Sequence, residues 1–221
     1  MSPVVAAIRK DLLLQWRTRA QVLAIFVFGA SALLLFSFAI GPDAEALRLH
    51  AAGFLWLALL LSSTLTLAES FQSEMEQRAF EGLLLLPASP RALYYGKAIA
   101  NWLQLTLVGA GLVPFMVVLY DAGTTRLLGL AGILVLGAAG LSAPGTLYAA
   151  MTAQARARQT LLPLLLFPLV VPVLLSAVKA TSLLILGDPM GQLRPWTLLL
   201  ACFDLIHWAL CGLLFDRVVE D

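Results

Sequence analysis

Apolar residues fall in long unbroken runs, roughly Ala20 to Ile40, Ala51 to Ala68, Ala98 to Tyr120, Leu127 to Met151, Thr160 to Leu186 and Trp196 to Phe215. Each run is near or above the ~20 residues that a helix needs to cross the hydrocarbon core. The pattern predicts six membrane-spanning helices, hence an all-α integral membrane protein, because only a helix or a closed barrel satisfies its own backbone in lipid. The connections are too short to fold alone, apart from residues 69–97 and the N-terminal stretch, so residues 1–221 read as one polytopic membrane domain. The first run reads as a span and not a cleavable signal, since it exceeds the roughly 7 to 15 residues of a signal core and no A-x-A-like site follows.

Two segments outside these runs carry helical periodicity. In residues 3–19, Val4, Ile8, Leu12, Val5 and Trp16 fall on one arc with Lys10 and Arg17 opposite, while Leu13 and Leu14 lie off the arc. This predicts an N-terminal amphipathic interfacial helix, either an elbow that moves with the first span or a plain anchor. In residues 69–91, Phe71, Met75, Ala79, Leu83 and Leu86 share one face, and Glu74 precedes Arg78 by four residues, the favourable order for an exposed pair. The segment should stop at Pro87, followed by an Ala88-Ser89-Pro90 turn. Glu69, Glu74, Glu76, Arg78 and Glu81 beside an apolar stripe suit a partner protein better than lipid, the alternative being a solvated linker.

Composition and charge sharpen the picture. Only 12% of residues are charged, against about 25% in soluble proteins, and the mean hydropathy is +0.91. Arg9, Lys10, Arg17, Arg19, Arg78, Arg91, Lys97, Arg156, Arg158 and Arg217 fall on one side of a six-span topology, and only Arg48, Arg126 and Arg194 on the other. The asymmetry places both termini in the cytoplasm. The net charge of +1 carries no message about partners, and no basic cluster suits nucleic acid.

Candidate chemistry is sparse. A P-loop is missing: the one Gly-Lys pair, Gly96-Lys97, has Arg91 where the first glycine should stand and Ala98 where the hydroxyl should, so ATP chemistry must come from another subunit. Asp204, His207 and Cys211 share a face of the sixth span. His207 reads either as a haem or metal ligand oriented by Asp204, or as Asp204's hydrogen-bonded partner, packed toward Lys179. Cys202 and Cys211, about 13.5 Å apart along one helix, cannot bridge. Trp16, Trp56, Tyr94, Tyr95, Trp102, Tyr120, Trp196 and Trp208 read mostly as interfacial belts, and His50 as an interfacial residue. Gly129, Gly132, Gly137 and Gly140 offer a small-residue surface for either a core contact or a dimer seam. Pro144-Gly145 should break or kink the fourth span, and Pro163, Pro168 and Pro172 the fifth, as hinges or as ordinary kinks.

Ile40-Gly41-Pro42-Asp43, Trp56 through Leu61-Ser62-Ser63, Glu69 to Pro87 ending in Leu-Leu-Leu-Leu-Pro, Gly96-Lys97 to Trp102, Ser142-Ala143-Pro144-Gly145 and Phe167-Pro168 with Pro172 occur in an order and spacing that resembles the CcmB family. That family is the membrane permease subunit of the ABC-type complex for cytochrome c maturation. One departure is visible: Gln77-Arg78-Ala79-Phe80 stands before Glu81, where the family shows an acidic residue followed by glycine. The resemblance implies a six-span type-2 ABC permease in a bacterial inner membrane, not itself an enzyme. Its implied partners are a cytosolic CcmA-like ATPase that binds the ATP, CcmC-like and CcmD-like membrane subunits, a CcmE-like haem chaperone met indirectly, and a second permease. It implies haem as a substrate and no resident cofactor. It makes residues 69–91 the coupling helix, with Glu69, Glu74, Glu76, Arg78 and Glu81 contacting the ATPase, and leaves Pro144, Gly145, Pro168 and Pro172 for conformational change. A type-2 permease for a lipid, drug or glycan, a non-transporting haem-delivery scaffold, and an intramembrane enzyme built on Asp204 and His207 remain as rivals.

Overall fold

Lipid offers no partner to a backbone amide, so long apolar runs are driven into helices. A computed structural model describes residues 19–76, 90–124, 126–153 and 158–220, with the side chains of residues 19, 71–76, 158–159 and 218–220 left undescribed. Among the described residues the structure is helical throughout, without strands, in six helices: α1 (Arg19–Ile40), α2 (Ala44–Glu76), α3 (Pro90–Tyr120), α4 (Leu127–Thr152), α5 (Arg158–Leu186) and α6 (Leu193–Glu220). All six are long and apolar enough to cross a membrane. The interfacial helix expected over residues 3–19 lies almost wholly outside the described residues, as do Arg78 and Glu81.

Several helices outrun the apolar runs that announce them. α2 begins at Ala44 because Gly41 takes φ +82°, closing α1 through its amide to the Ser37 carbonyl, and Pro42 forbids continuation. Asp43 then caps α2, its Oδ1 accepting from the amides of Glu45 and Ala46, both at 3.1 Å. The turn between α5 and α6 repeats this device: Gly187 (φ +102°) closes α5, and Asp188 accepts from the amides of Gln192 at 2.7 Å and Leu193 at 2.9 Å. The Leu193 amide, with that of Gln192, holds the Asp188 carboxyl below the usual carboxylate range.

α2 and α4 are the centre of the bundle. Their apolar windows are 61% buried, against 28–33% for the other four helices. α2 packs on α1, α3, α4 and α5, and α4 packs on α2, α3, α5 and α6. Small residues allow this: the Trp56 ring of α2 lies where any side chain at Gly137 of α4 would sit, and Leu67 does the same at Gly145. Gly140 faces Asp204 and Val173, whereas Gly132 has open space around it. For Gly137 and Gly140 the glycine surface is therefore a core contact of this chain and not a dimer seam.

Three aromatic residues expected at the interfaces are instead core. Trp56, Tyr94 and Tyr120 are 1%, 0% and 0% exposed. Each sinks because its polar tip has a partner inside: Trp56 Nε1 donates to Thr181 Oγ1 (2.9 Å), Tyr94 Oη to the Ala143 carbonyl (3.0 Å) and Tyr120 Oη to the Leu33 carbonyl (2.6 Å). Gly137→Ala should therefore lower stability by about 1 to 3 kcal/mol through overpacking against Trp56. Gly132→Ala should stay within about 1 kcal/mol of the parent. Thermal unfolding of both variants in one detergent measures the difference.

Candidate functional site

One end of the bundle gathers the start of α1, the ends of α2, α4 and α6, and the starts of α3 and α5. Contacts across it confirm the grouping: Arg91 of α3 pairs with Asp216 of α6, Lys97 of α3 donates to the Ser70 carbonyl of α2 at 2.8 Å, and Glu69 of α2 faces the Gln21 side chain of α1. The apolar run in α2 ends at Ala68 and the helix runs on to Glu76, so Glu69, Glu74 and Glu76 lie along its polar end. Of the five residues expected to contact a partner, Glu69 is half-buried at the root of this polar end. The side chains of Glu74 and Glu76 lie outside the described residues together with Arg78 and Glu81.

Behind the root runs a polar face that sequence reasoning missed. Lys97, Asn101 and Gln104 stand at i, i+4 and i+7 on α3, and all three are buried. Asn101 Nδ2 donates to Thr146 Oγ1 of α4 at 3.0 Å, and Ser142 Oγ of α4 donates back to the Ala98 carbonyl at 2.6 Å. Ser62, Ser63 and Thr66 of α2 are buried as well. The signal is present as three polar residues at helical spacing among alanines and leucines, but Lys97 enters the sequence reading only as one of the positive charges on one side of the topology.

The proline positions behave differently from a simple break. α4 is helical straight through Pro144, which with Gly145 is fully buried. The ring leaves the Gly140 carbonyl without its amide donor. Clamps from α3 hold the helix on both sides: Tyr94 at the Ala143 carbonyl, Asn101 at Thr146, and Trp102 Nε1 at the Val135 carbonyl (2.8 Å). α5 likewise continues through Pro163, Pro168 and Pro172, with Pro168 and Pro172 on its exposed side.

The three intramembrane polar residues do not form a site. Lys179 is exposed on α5. His207 turns its Nδ1 to the Phe203 carbonyl one turn back at 2.9 Å and stacks its ring on Phe203 at 3.7 Å. Asp204 is 7% exposed, and neither carboxyl oxygen has a hydrogen-bond partner among the described residues. The expected Asp204–His207 pair is thus absent, because the histidine is satisfied by its own helix. Among the described residues no three His, Cys, Asp or Glu side chains are grouped to hold a metal ion. Cys202 is free and exposed, and Cys211 free and buried.

Comparison with known proteins adds independent findings. A family model described as "CcmB protein" matches residues 3–219. The "Heme exporter protein B" of Bradyrhizobium diazoefficiens is 30% identical over 202 residues, 91% of this chain and 90% of that one. The protein of the same name from Pseudomonas aeruginosa is 30% identical over 183 residues, 83% of this chain and 82% of its own. That of Rhodobacter capsulatus is 36% identical over 141 residues, 64% and 65% of the two chains.

Asp204 yields a direct expectation. A buried polar group without a partner costs about 1 to 3 kcal/mol, so Asp204→Val should raise the thermal midpoint of the purified protein. A fall in that midpoint would mean that the carboxyl is stabilised by a partner present in the purified protein and would refute its unpaired state.

Proposed function

This chain belongs to the CcmB family, and on that premise we propose that it is the membrane permease subunit of an ABC-type complex in cytochrome c maturation, handling haem or releasing a haem-loaded chaperone. The observation that carries the reading is the coincidence of a family match over residues 3–219 with a six-helix bundle whose central α2 continues past its apolar run, which ends at Ala68, to Glu76. A helix rooted in the core and projecting acidic residues is suited to receive a push from a soluble partner. Glu69, Glu74, Glu76, Arg78 and Glu81 contact a CcmA-like ATPase, which binds the ATP. Haem is substrate here, and this subunit performs no catalysis.

The orientation follows from charge. Lys and Arg concentrate at the end where α1 starts and α2 ends, which puts that end and both termini in the cytoplasm of a bacterial inner membrane. CcmC-like and CcmD-like subunits and a second permease dock on the lipid-facing helices, and a CcmE-like chaperone works on the opposite side. Pro144 and Gly145 in α4, and Pro168 and Pro172 in α5, give the helices places to bend when the ATPase closes.

Charge reversal tests the coupling surface. Glu74→Lys with Glu81→Lys should leave the protein in the membrane and strip the ATPase from it on co-purification from native membranes, with loss of mature cytochrome c. Retention of a normally cycling ATPase would refute the assigned contact. A pull-down that brings an ATPase but no haem-handling subunits would favour a permease for another substrate.

A further inference from the structure

A lysine buried at 2% exposure inside a membrane bundle is costly unless it has work to do. The Lys97 ammonium donates to the Ser70 carbonyl, two residues past the end of the apolar run at Ala68 and on the polar end of α2 that runs to Glu76. One helical turn further along α3, Asn101, itself 1% exposed, grips Thr146 of α4. Thr146 adjoins Pro144-Gly145, where the helix lacks one backbone hydrogen bond. Four groups on three helices therefore lie in sequence: the Ser70 carbonyl, Lys97, Asn101 and Thr146.

We propose that Lys97 and Asn101 are positioning residues that carry displacement of the polar end of α2 through one face of α3 to the weakened turn of α4 at Pro144-Gly145. This deepens the coupling assignment and rests on it. The physical reason is stiffness. Both links are hydrogen bonds of ordinary length, at 2.8 and 3.0 Å, the Asn101–Thr146 bond buried and the Lys97–Ser70 bond part-buried. Both donors leave the same rigid helix, so α2 cannot move at Ser70 without either breaking the lysine contact or taking α3 with it. α3 then pulls at Thr146, beside the position in α4 least able to resist. Leucine at either position would fill space but transmit no directed pull, and Ser142, which bonds to the Ala98 carbonyl at 2.6 Å, keeps the two helices in register while they move.

The experiment uses the whole complex in native membranes with Lys97→Met, Lys97→Arg, Asn101→Leu and the Lys97→Met/Asn101→Leu double variant. Two quantities are read: ATPase recovered per permease, and mature cytochrome c formed per bound ATPase. Lys97→Met should keep the ATPase bound and lower output per bound ATPase about tenfold. Lys97→Arg should restore most of it. Asn101→Leu should act in the same direction, and the double variant should be no worse than the poorer single one, as two links of one chain require. Normal output from Lys97→Met, additive losses in the double variant, or losses that only follow permease abundance would each overturn the proposal. If Lys97→Met does not accumulate, Lys97→Gln is measured in its place, and failure of both to accumulate marks a purely structural lysine and also overturns it. Retention of the ATPase in the Glu74→Lys/Glu81→Lys protein sinks the underlying coupling surface instead, so the two failures are distinguishable.

Discussion

Lipid tails are as apolar as leucine, so burying one leucine against another gives a membrane bundle little reason to close. What closes this one is how near α4 lets its neighbours come. Trp56 reaches across to Thr181 only because Gly137 leaves room for its ring, and Leu67 settles only where Gly145 has no side chain. Tyr94 and Trp102 from α3, and Trp208 from α6, then reach α4 carbonyls at Ala143, Val135 and Ala139. Close approach comes first, and the hydrogen bonds that orient the helices depend on it.

That dependence explains which parts of the molecule were legible beforehand. The number of spans was readable because hydropathy reports the solvent that a segment needs, and each run is long. Helix ends were less so, since hydropathy stops where lipid stops, whereas α2 continues past Ala68 to Glu76. Gly41-Pro42-Asp43 could have shown the start of α2 through its stop and cap residues. Trp56, Tyr94 and Tyr120 were misassigned because an aromatic residue with a polar tip suits an interface and a core equally, and only a partner such as Thr181, distant in sequence, decides between them. The same holds for His207, whose ring found its neighbour on its own helix.

The candidate site divides along a similar line. Glu69 and its acidic neighbours stood out as charge between apolar runs. Lys97, Asn101 and Gln104 did not stand out, since one lysine at the edge of a span resembles an ordinary flank. Their common burial on α3 became visible only once α2 and α4 were packed on either side.

The two ends of the bundle are tied in different ways. At the Asp43 end the turns are short and capped, and Arg48 and Thr124 tie α2 and the α3–α4 turn to the last carbonyls of α5, at Ile185 and Leu184. Relative motion there would break several bonds at once. At the Glu69 end the links include Lys97 to Ser70, which holds α3 to α2, and Arg91 to Asp216, which holds α3 to α6. On the proposed coupling, a push on α2 enters at the Glu69 end, where Lys97 holds α3 to the Ser70 carbonyl. That push would then reach α4 at Thr146, beside Pro144, whose ring leaves the Gly140 carbonyl without an amide donor.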